Sequence, residues 1–439
     1  MRRRLLAALL VVVAVVAGGV CPAGADPGRG GVARAGADLG QPSVVSAHPV
    51  QYTPHVLDGT VWAMAVVGDT VVVGGSFNSV ADSSRRHTYA RKNIFAFDLR
   101  DGAIRSFAPA VDGPVYSLAS GPGYTVYVGG AFTTVNGARQ HGLARLTLDG
   151  DRIGSFRASI NWGDVRALAE RAGWVYAGGT FTSVNGVARV GLARLDAGNG
   201  AVDGGFDARF TAPGLRRTFV EDFDMSPDGR HLVVTGSLLK VGGTDRTQIA
   251  MFDVSGPTAA LTGWYTDAFQ PKCAPDFEAY VRQVKFSPDG SYIVVVTTGG
   301  TSSPDKICDA AARFQTGGSG PHDAVWVQRT GGNSLFAVAV TGAAVYLGGH
   351  QLYLDNPYGH KTKNPGQPPV FRPGPGAVLR PGIGAVDPAT GRALSWNPTR
   401  TRGIGVRVFV AVPQGLLVGS DTDQLGHEYH GRIGMFPLK

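Results

Sequence analysis

Cysteine, methionine and charge are all scarce in this 439-residue chain, which has three Cys, five Met and 17% charged residues. Long apolar runs are scarcer still. Leu5–Val16 is the longest, too short for the roughly 20 residues of a membrane helix, and nothing comparable follows. No stretch past the first 25 residues keeps a 3.6-residue apolar period over a useful length, which excludes helical repeats. No basic block stands out, which argues against a nucleic-acid footprint. A serine elbow, a zinc-binding helix and a nucleotide-binding loop are likewise missing, so no catalytic residues are assigned and no cofactor is expected.

Met1-Arg2-Arg3-Arg4, the apolar Leu5–Val16 and the exit Ala23-Gly24-Ala25 read as a signal peptide over 1–25, leaving a chain that begins near Asp26. Sec export is favoured over a lipid anchor on Cys21, because Gly18-Gly19-Val20 is a poor lipoprotein site, and over twin-arginine export. Losing three arginines and no acid lowers the formal charge from +8 to a mild +5. Export predicts a secreted protein without membrane insertion, and a disulfide between the remaining Cys273 and Cys308. That bridge is read as a staple with no redox role.

The 64 glycines fall into a repeat. Val126-Tyr127-Val128-Gly129-Gly130-Ala131-Phe132-Thr133-Thr134-Val135-Asn136-Gly137 precedes Gly142-Leu143-Ala144-Arg145-Leu146. The same order returns at Val175-Tyr176-Ala177-Gly178-Gly179-Thr180-Phe181-Thr182-Ser183-Val184-Asn185-Gly186 and Gly191-Leu192-Ala193-Arg194-Leu195. Looser copies open near Val61, Val220, Val281, Leu335 and Val406, two of them with Ser-Pro-Asp-Gly turns at Ser226–Gly229 and Ser287–Gly290. Short β-branched and aromatic runs cut by Asn-Gly or Asp-Gly turns read as four-stranded antiparallel units. Seven such units predict an all-β, seven-bladed β-propeller over 44–439, preceded by a flexible linker over 26–43; six or eight blades stay open because 220–333 is divergent. Paired glycines let neighbouring sheets approach, and Phe132 and Phe181 fill the space between blades. The last copy ends soon after Gly434-Met435-Phe436, and Thr53–Gly59 resembles Ala108–Gly113, so an N-terminal strand is expected to complete the last blade.

The units at Val128 and Ala177, each followed by Gly-Leu-Ala-Arg-Leu, resemble the delta-60 type β-propeller repeat of secreted bacterial proteins. Arg380–Asp387, Ser395-Trp396-Asn397-Pro398 and Gly415–Asp423 resemble the closing part of exported actinobacterial propellers of this kind. The resemblance implies a fold and an extracellular address, and no agreed activity.

Aligning the opening strands places Trp62, Tyr116, Arg166, Glu221, Arg282, Phe336 and Arg407 at one equivalent position, where they are expected to ring one mouth of the central channel and bind ligand. Guanidiniums suit carboxylates or phosphates, and aromatic faces suit a sugar ring. The alternative open here is a plug in which the arginines pair with Glu221, Asp222 or Asp224 and the aromatics pack between blades. His350 lies just before, and Asp355 and His360 within, an irregular insertion over 353–375, and their spacing fits no metal motif; Ser420-Asp421-Thr422-Asp423 lacks the glycine and distal glutamate of a calcium loop, so no metal is assigned. The carboxylate pairs Glu221/Asp222 and Asp276/Glu278 keep a glycosidase or lyase reading open.

The leading expectation is a monomeric extracellular binding protein whose partner is an anionic glycan, a cell-wall polymer or a surface protein. A polysaccharide-acting enzyme and a structural or adhesive surface module are the alternatives.

Overall fold

The computed structural model describes residues 40–439 except 271, 275–276, 301–304, 363–369 and 402. The expected signal peptide with Cys21, most of the linker and Asp276 therefore lie outside the described residues. The described chain is all β, with no helix, and none of its elements is a long apolar helix able to cross a membrane.

Seven sheets carry the repeat. They open on Thr60–Val67, Val115–Gly121, Val165–Arg171, Phe219–Met225, Val281–Phe286, Leu335–Val340 and Val408–Val412. In each, the second strand lies in the middle and pairs antiparallel with the first and third, as Thr125–Gly130 does between Val115–Gly121 and Leu143–Thr147. Small hairpins sit on the loops after the second strands, such as Thr134–Val135 with Ala138–Arg139. Their tight turns require left-handed backbone at both central residues, which Asn136 (φ 50°) and Gly137 (φ 74°) supply.

A fourth strand is complete in the fourth and fifth sheets, as Ala260–Leu261 and Trp326–Arg329, and is reduced to single bridges such as Leu146↔Arg152 and Leu195↔Val202 elsewhere. One hydrogen bond recurs at this position. The backbone N–H of Arg105, Ile153, Asp203, Thr262 and Leu394 donates to the carbonyl of Ala96, Arg145, Arg194, Met251 and Ala385, the third residue of each third strand. In the last sheet the equivalent carbonyl, Met435, accepts from Val50 at 2.8 Å, and Pro437 accepts from Ser46 at 2.8 Å. The donors thus lie upstream of Thr53–Gly59; His55–Val56 pairs with Ser79–Ala81 instead.

Consecutive opening strands lie side by side in chain order, and Val408–Val412 of the last sheet lies beside Thr60–Val67 of the first. The glycine pairs explain how they come so close. A Cβ on Gly74, Gly129, Gly178 or Gly348 would fall within 3 Å of the opening valine of the next sheet, respectively Val115, Val165, Val220 and Val406. Gly419 stands in the same relation to Val61. Phe132 is wholly buried with Ile94 and Phe107 of the preceding sheet, and Phe181 with Tyr127 and Leu143, so both fill the space between sheets. Cys273 and Cys308 form a disulfide, with Cα atoms 5.7 Å apart. It ties the segment before the fifth opening strand to the start of Ala310–Gln315, a constraint on the unfolded chain of roughly 4 kcal/mol in the loop-entropy picture.

Candidate binding site at the channel mouth

Six of the seven opening strands are bulged one residue past the opening valine or leucine. The register slips across Trp62, Tyr116, Arg166, Glu221, Arg282 and Phe336. In the last sheet the N–H of Arg407 bonds to the Gly419 carbonyl at 2.9 Å while Val408 is register partner to the same residue. An extra residue against an unbroken partner strand bends the chain and re-aims its side chain. The second glycine of each pair makes the bend fit, since a Cβ on Gly75, Gly130, Gly179 or Gly349 would fall within 3 Å of the carbonyl just before the opening valine or leucine. All seven residues of the expected ring line one cavity of about 390 Å³, together with Asp164, Asp222 and Gln283. That volume lies within the range of small-molecule sites.

The mouth has two unlike sides. On one, Arg166 donates to Asp164 at 3.0 Å and ion-pairs with Glu221, and Arg282 approaches the other oxygen of Glu221 at 3.6 Å. Burial works against the charge of Arg166, but Glu221 and Asp164 more than offset it and hold its pKa above the usual arginine value. Beneath, Asp222 accepts from Lys285 Nζ at 3.2 Å and from the Val284 N–H at 3.1 Å. Burial pushes Asp222 up to about 6 despite the lysine.

On the other side, Arg407 sits 4.3 Å from the ring centre of Phe336 and 4.7 Å from that of Trp62, and Trp62 meets Tyr116 edge to face at 5.8 Å. Among the described residues Arg407 makes no ion pair, and its Nε has no hydrogen-bond partner. Burial, aided by the repulsion of Arg282, lowers its pKa, with Asp421 and Glu221 pulling the other way. The Nε1 of Trp62 and the Nε of Arg282 are also buried without partners.

Pairing of arginines with Glu221 therefore holds for Arg166 and Arg282 and fails for Arg407. Asp222 and Asp224 are engaged by Lys285 and not by arginine, and the aromatics line the cavity. Asp164, Gln283 and Lys285 were not anticipated. For Gln283 and Lys285 the signal lies in the register, because they stand where other sheets carry Ala63 and Ala65, or Ala337 and Ala339.

The remaining candidates lead elsewhere. Asp355 accepts from Gln328 Nε2 at 2.6 Å and from the Ala393 N–H at 3.1 Å, and His360 is exposed. Asp421 accepts from the N–H groups of Ile404 (2.6 Å) and Gly405 (3.0 Å) and from Arg400 (3.2 Å), as a turn anchor does. Among the described residues no three metal-ligating side chains cluster. Glu278 is joined to Arg216, and Glu221 is bridged by two arginines, so neither is a free carboxylate.

A family model described as "Domain of unknown function (DUF5122) beta-propeller" matches residues 125–152 and 173–206, within the second and third sheets. Among solved structures, the chain is similar to "Crystal structure of WD40 beta propeller domain of Doa1", with a TM-score of 0.50 and 9% sequence identity, covering 90% of this chain and 98% of that one. At such identity the likeness is one of fold alone. No curated protein matches the chain. The fold is that of a β-propeller.

Proposed function

We propose that this chain is a secreted, seven-bladed propeller of the delta-60 repeat kind that binds an anionic glycan at the mouth of its channel. The observation that carries the binding reading is Arg407, a guanidinium with no carboxylate partner among the described residues, held between the faces of Phe336 and Trp62. A uronic acid would offer a carboxylate to that guanidinium and a C–H face to the aromatic rings. The salt-bridged side supplies a rigid polar wall.

Calorimetric titration with oligogalacturonides tests the reading. The native chain is expected to bind, and Arg407→Ala to bind at least about tenfold more weakly. No binding by the native chain, or equal binding by the variant, would sink it. Product analysis of the same mixtures separates binding from cleavage.

The blade count and closure of the ring are part of this proposal. They are supported by the seven repeated sheets, by the contact of the last opening strand with the first, and by the Val50–Met435 hydrogen bond, which repeats the fourth-strand bond of the other sheets. A chain beginning at Thr60 is then expected to melt more than about 5 °C below one that keeps residues 40–59; equal melting temperatures would count against closure.

A further inference from the structure

One exposed tryptophan stands beside the mouth where the repeat has no place for it. Ahead of the opening strands, a polar side chain caps the loop that follows the second strand. Asp58 accepts from the Asn78 N–H at 2.7 Å, Asp112 from Thr133 at 2.7 Å and Thr134 at 2.9 Å, and Asn161 from Thr182 and Ser183 at 3.2 Å each. Cap and opening valine are Asp58 and Val61 in the first sheet, Asp112 and Val115 in the second, but Asn161 and Val165 in the third. The third loop is thus one residue longer, and the extra residue is Trp162, since Gly163 stands where Gly59 and Gly113 do.

Trp162 is 43% exposed and belongs to neither apolar core flanking its sheet. Its one described partner is the guanidinium of Arg217, 5.9 Å from the ring centre, on the loop that leads into Phe219–Met225. Two residues after Trp162 comes Asp164, which lines the cavity and holds Arg166. Two residues of chain span at most about 7 Å, so the backbone that carries the indole starts within that reach of the cavity-lining Asp164. Packing does not account for an inserted aromatic that no core covers, and an aromatic face beside a guanidinium has the chemistry that takes an acidic sugar.

Building on the mouth reading above, we infer that Trp162 and Arg217 form a second subsite, so that the ligand is an acidic oligosaccharide chain. One end occupies the mouth, and the following units cross the rim between the third and fourth sheets with a ring on Trp162 and a carboxylate at Arg217.

Titrating galacturonic acid and its oligomers of increasing length against the native chain, Trp162→Ala and Trp162→Phe tests this. For the native chain, affinity rises from monomer to hexamer. The ratio of hexamer to monomer affinity is expected to fall roughly three- to tenfold in Trp162→Ala and to recover in Trp162→Phe. A native affinity that does not rise with length, or an alanine variant with the native ratio, overturns the subsite and leaves the mouth reading standing. A native chain that binds neither monomer nor hexamer overturns both.

Discussion

The first three sheets and the fourth and fifth meet their successors by different chemistry at the inner margin. In the first three, the glycine of the middle strand leaves room for the next opening valine, and the facing slots hold small residues: Ala63 and Ala65, Ser117 and Ala119, Ala167 and Ala169. In the fourth and fifth the same slots hold Asp222 and Asp224, then Gln283 and Lys285. These side chains reach across to the next opening strand. Asp222 accepts from the Val284 N–H at 3.1 Å, Asp224 from Phe286 at 2.8 Å, and Gln283 from Val338 at 2.8 Å. An opening strand is a sheet edge, and its outward N–H groups have no ladder partner, so a neighbour either approaches closely or supplies acceptors. Two carboxylates in that place need a counter-charge, which Lys285 provides. The ionic side of the mouth, Arg166, Glu221 and Arg282, rises from these polar sheets and their immediate predecessor.

The distinction breaks most sharply at a single slot. A valine at Gly129 would put its Cβ within 3 Å of Ser117 Oγ and Val165 Cγ1, so Gly129→Val is expected to cost about 4 kcal/mol in urea denaturation. Thr235 occupies the equivalent slot of the fourth sheet, where a Cβ already fits. Thr235→Val is expected to cost only about 1 kcal/mol, the hydrogen bond of its hydroxyl to the Asp222 carbonyl at 3.1 Å. Equal losses would mean the two junctions are packed alike. In the polar junction the weak point is the lysine. Lys285→Met leaves Asp222 and Asp224 together without a cation and is expected to cost about 3 kcal/mol at pH 7.5. A loss below about 1 kcal/mol would show that the carboxylates do not depend on it.

Much of this was legible in the residues. The glycine pairs and Asn-Gly turns fixed the repeat, and the period put one residue of each copy at the same bulge, so the lining of the mouth could be read before any contact was known. Which ring residues pair with each other was not legible. Arg407 meets Trp62 only because the last sheet lies beside the first, a contact between chain segments with no local pattern in common. The N-terminal donors were misplaced for a similar reason: Ser46 and Val50 act through backbone N–H groups, which leave no mark on residue type, whereas Thr53–Gly59 resembled the repeat and drew attention instead. Gln283 and Lys285 did leave a mark, as long polar residues in slots that are alanine elsewhere. Reading it required the bulge-corrected register, because a one-residue slip moves each side chain to the other face.

The polar junction also predicts a pH dependence that the close-packed one lacks. Burial raises the Asp222 carboxyl to about 6, and the repulsion of Asp224 adds to the effect, while Lys285 and the Val284 N–H pull it down. The unfolded carboxyl titrates near 3.8, so the folded chain holds this proton more tightly than the unfolded one. The stability this group contributes is then complete below about pH 3.8 and is lost as pH rises through about 6. Asp224 is shifted in the same direction by burial. Asn at position 222 stays neutral at every pH. Between pH 4 and pH 7, Asp222→Asn is therefore expected to gain about 1–2 kcal/mol relative to the native chain, measured as the difference in unfolding free energy at each pH. Thr235→Val, which leaves the carboxyl in place, is expected to run parallel to the native chain over the same range. A constant difference between Asp222→Asn and the native chain would mean that Asp222 remains ionised against Lys285 throughout, and that the fourth and fifth sheets are joined by a permanent ion pair instead of a titrating one.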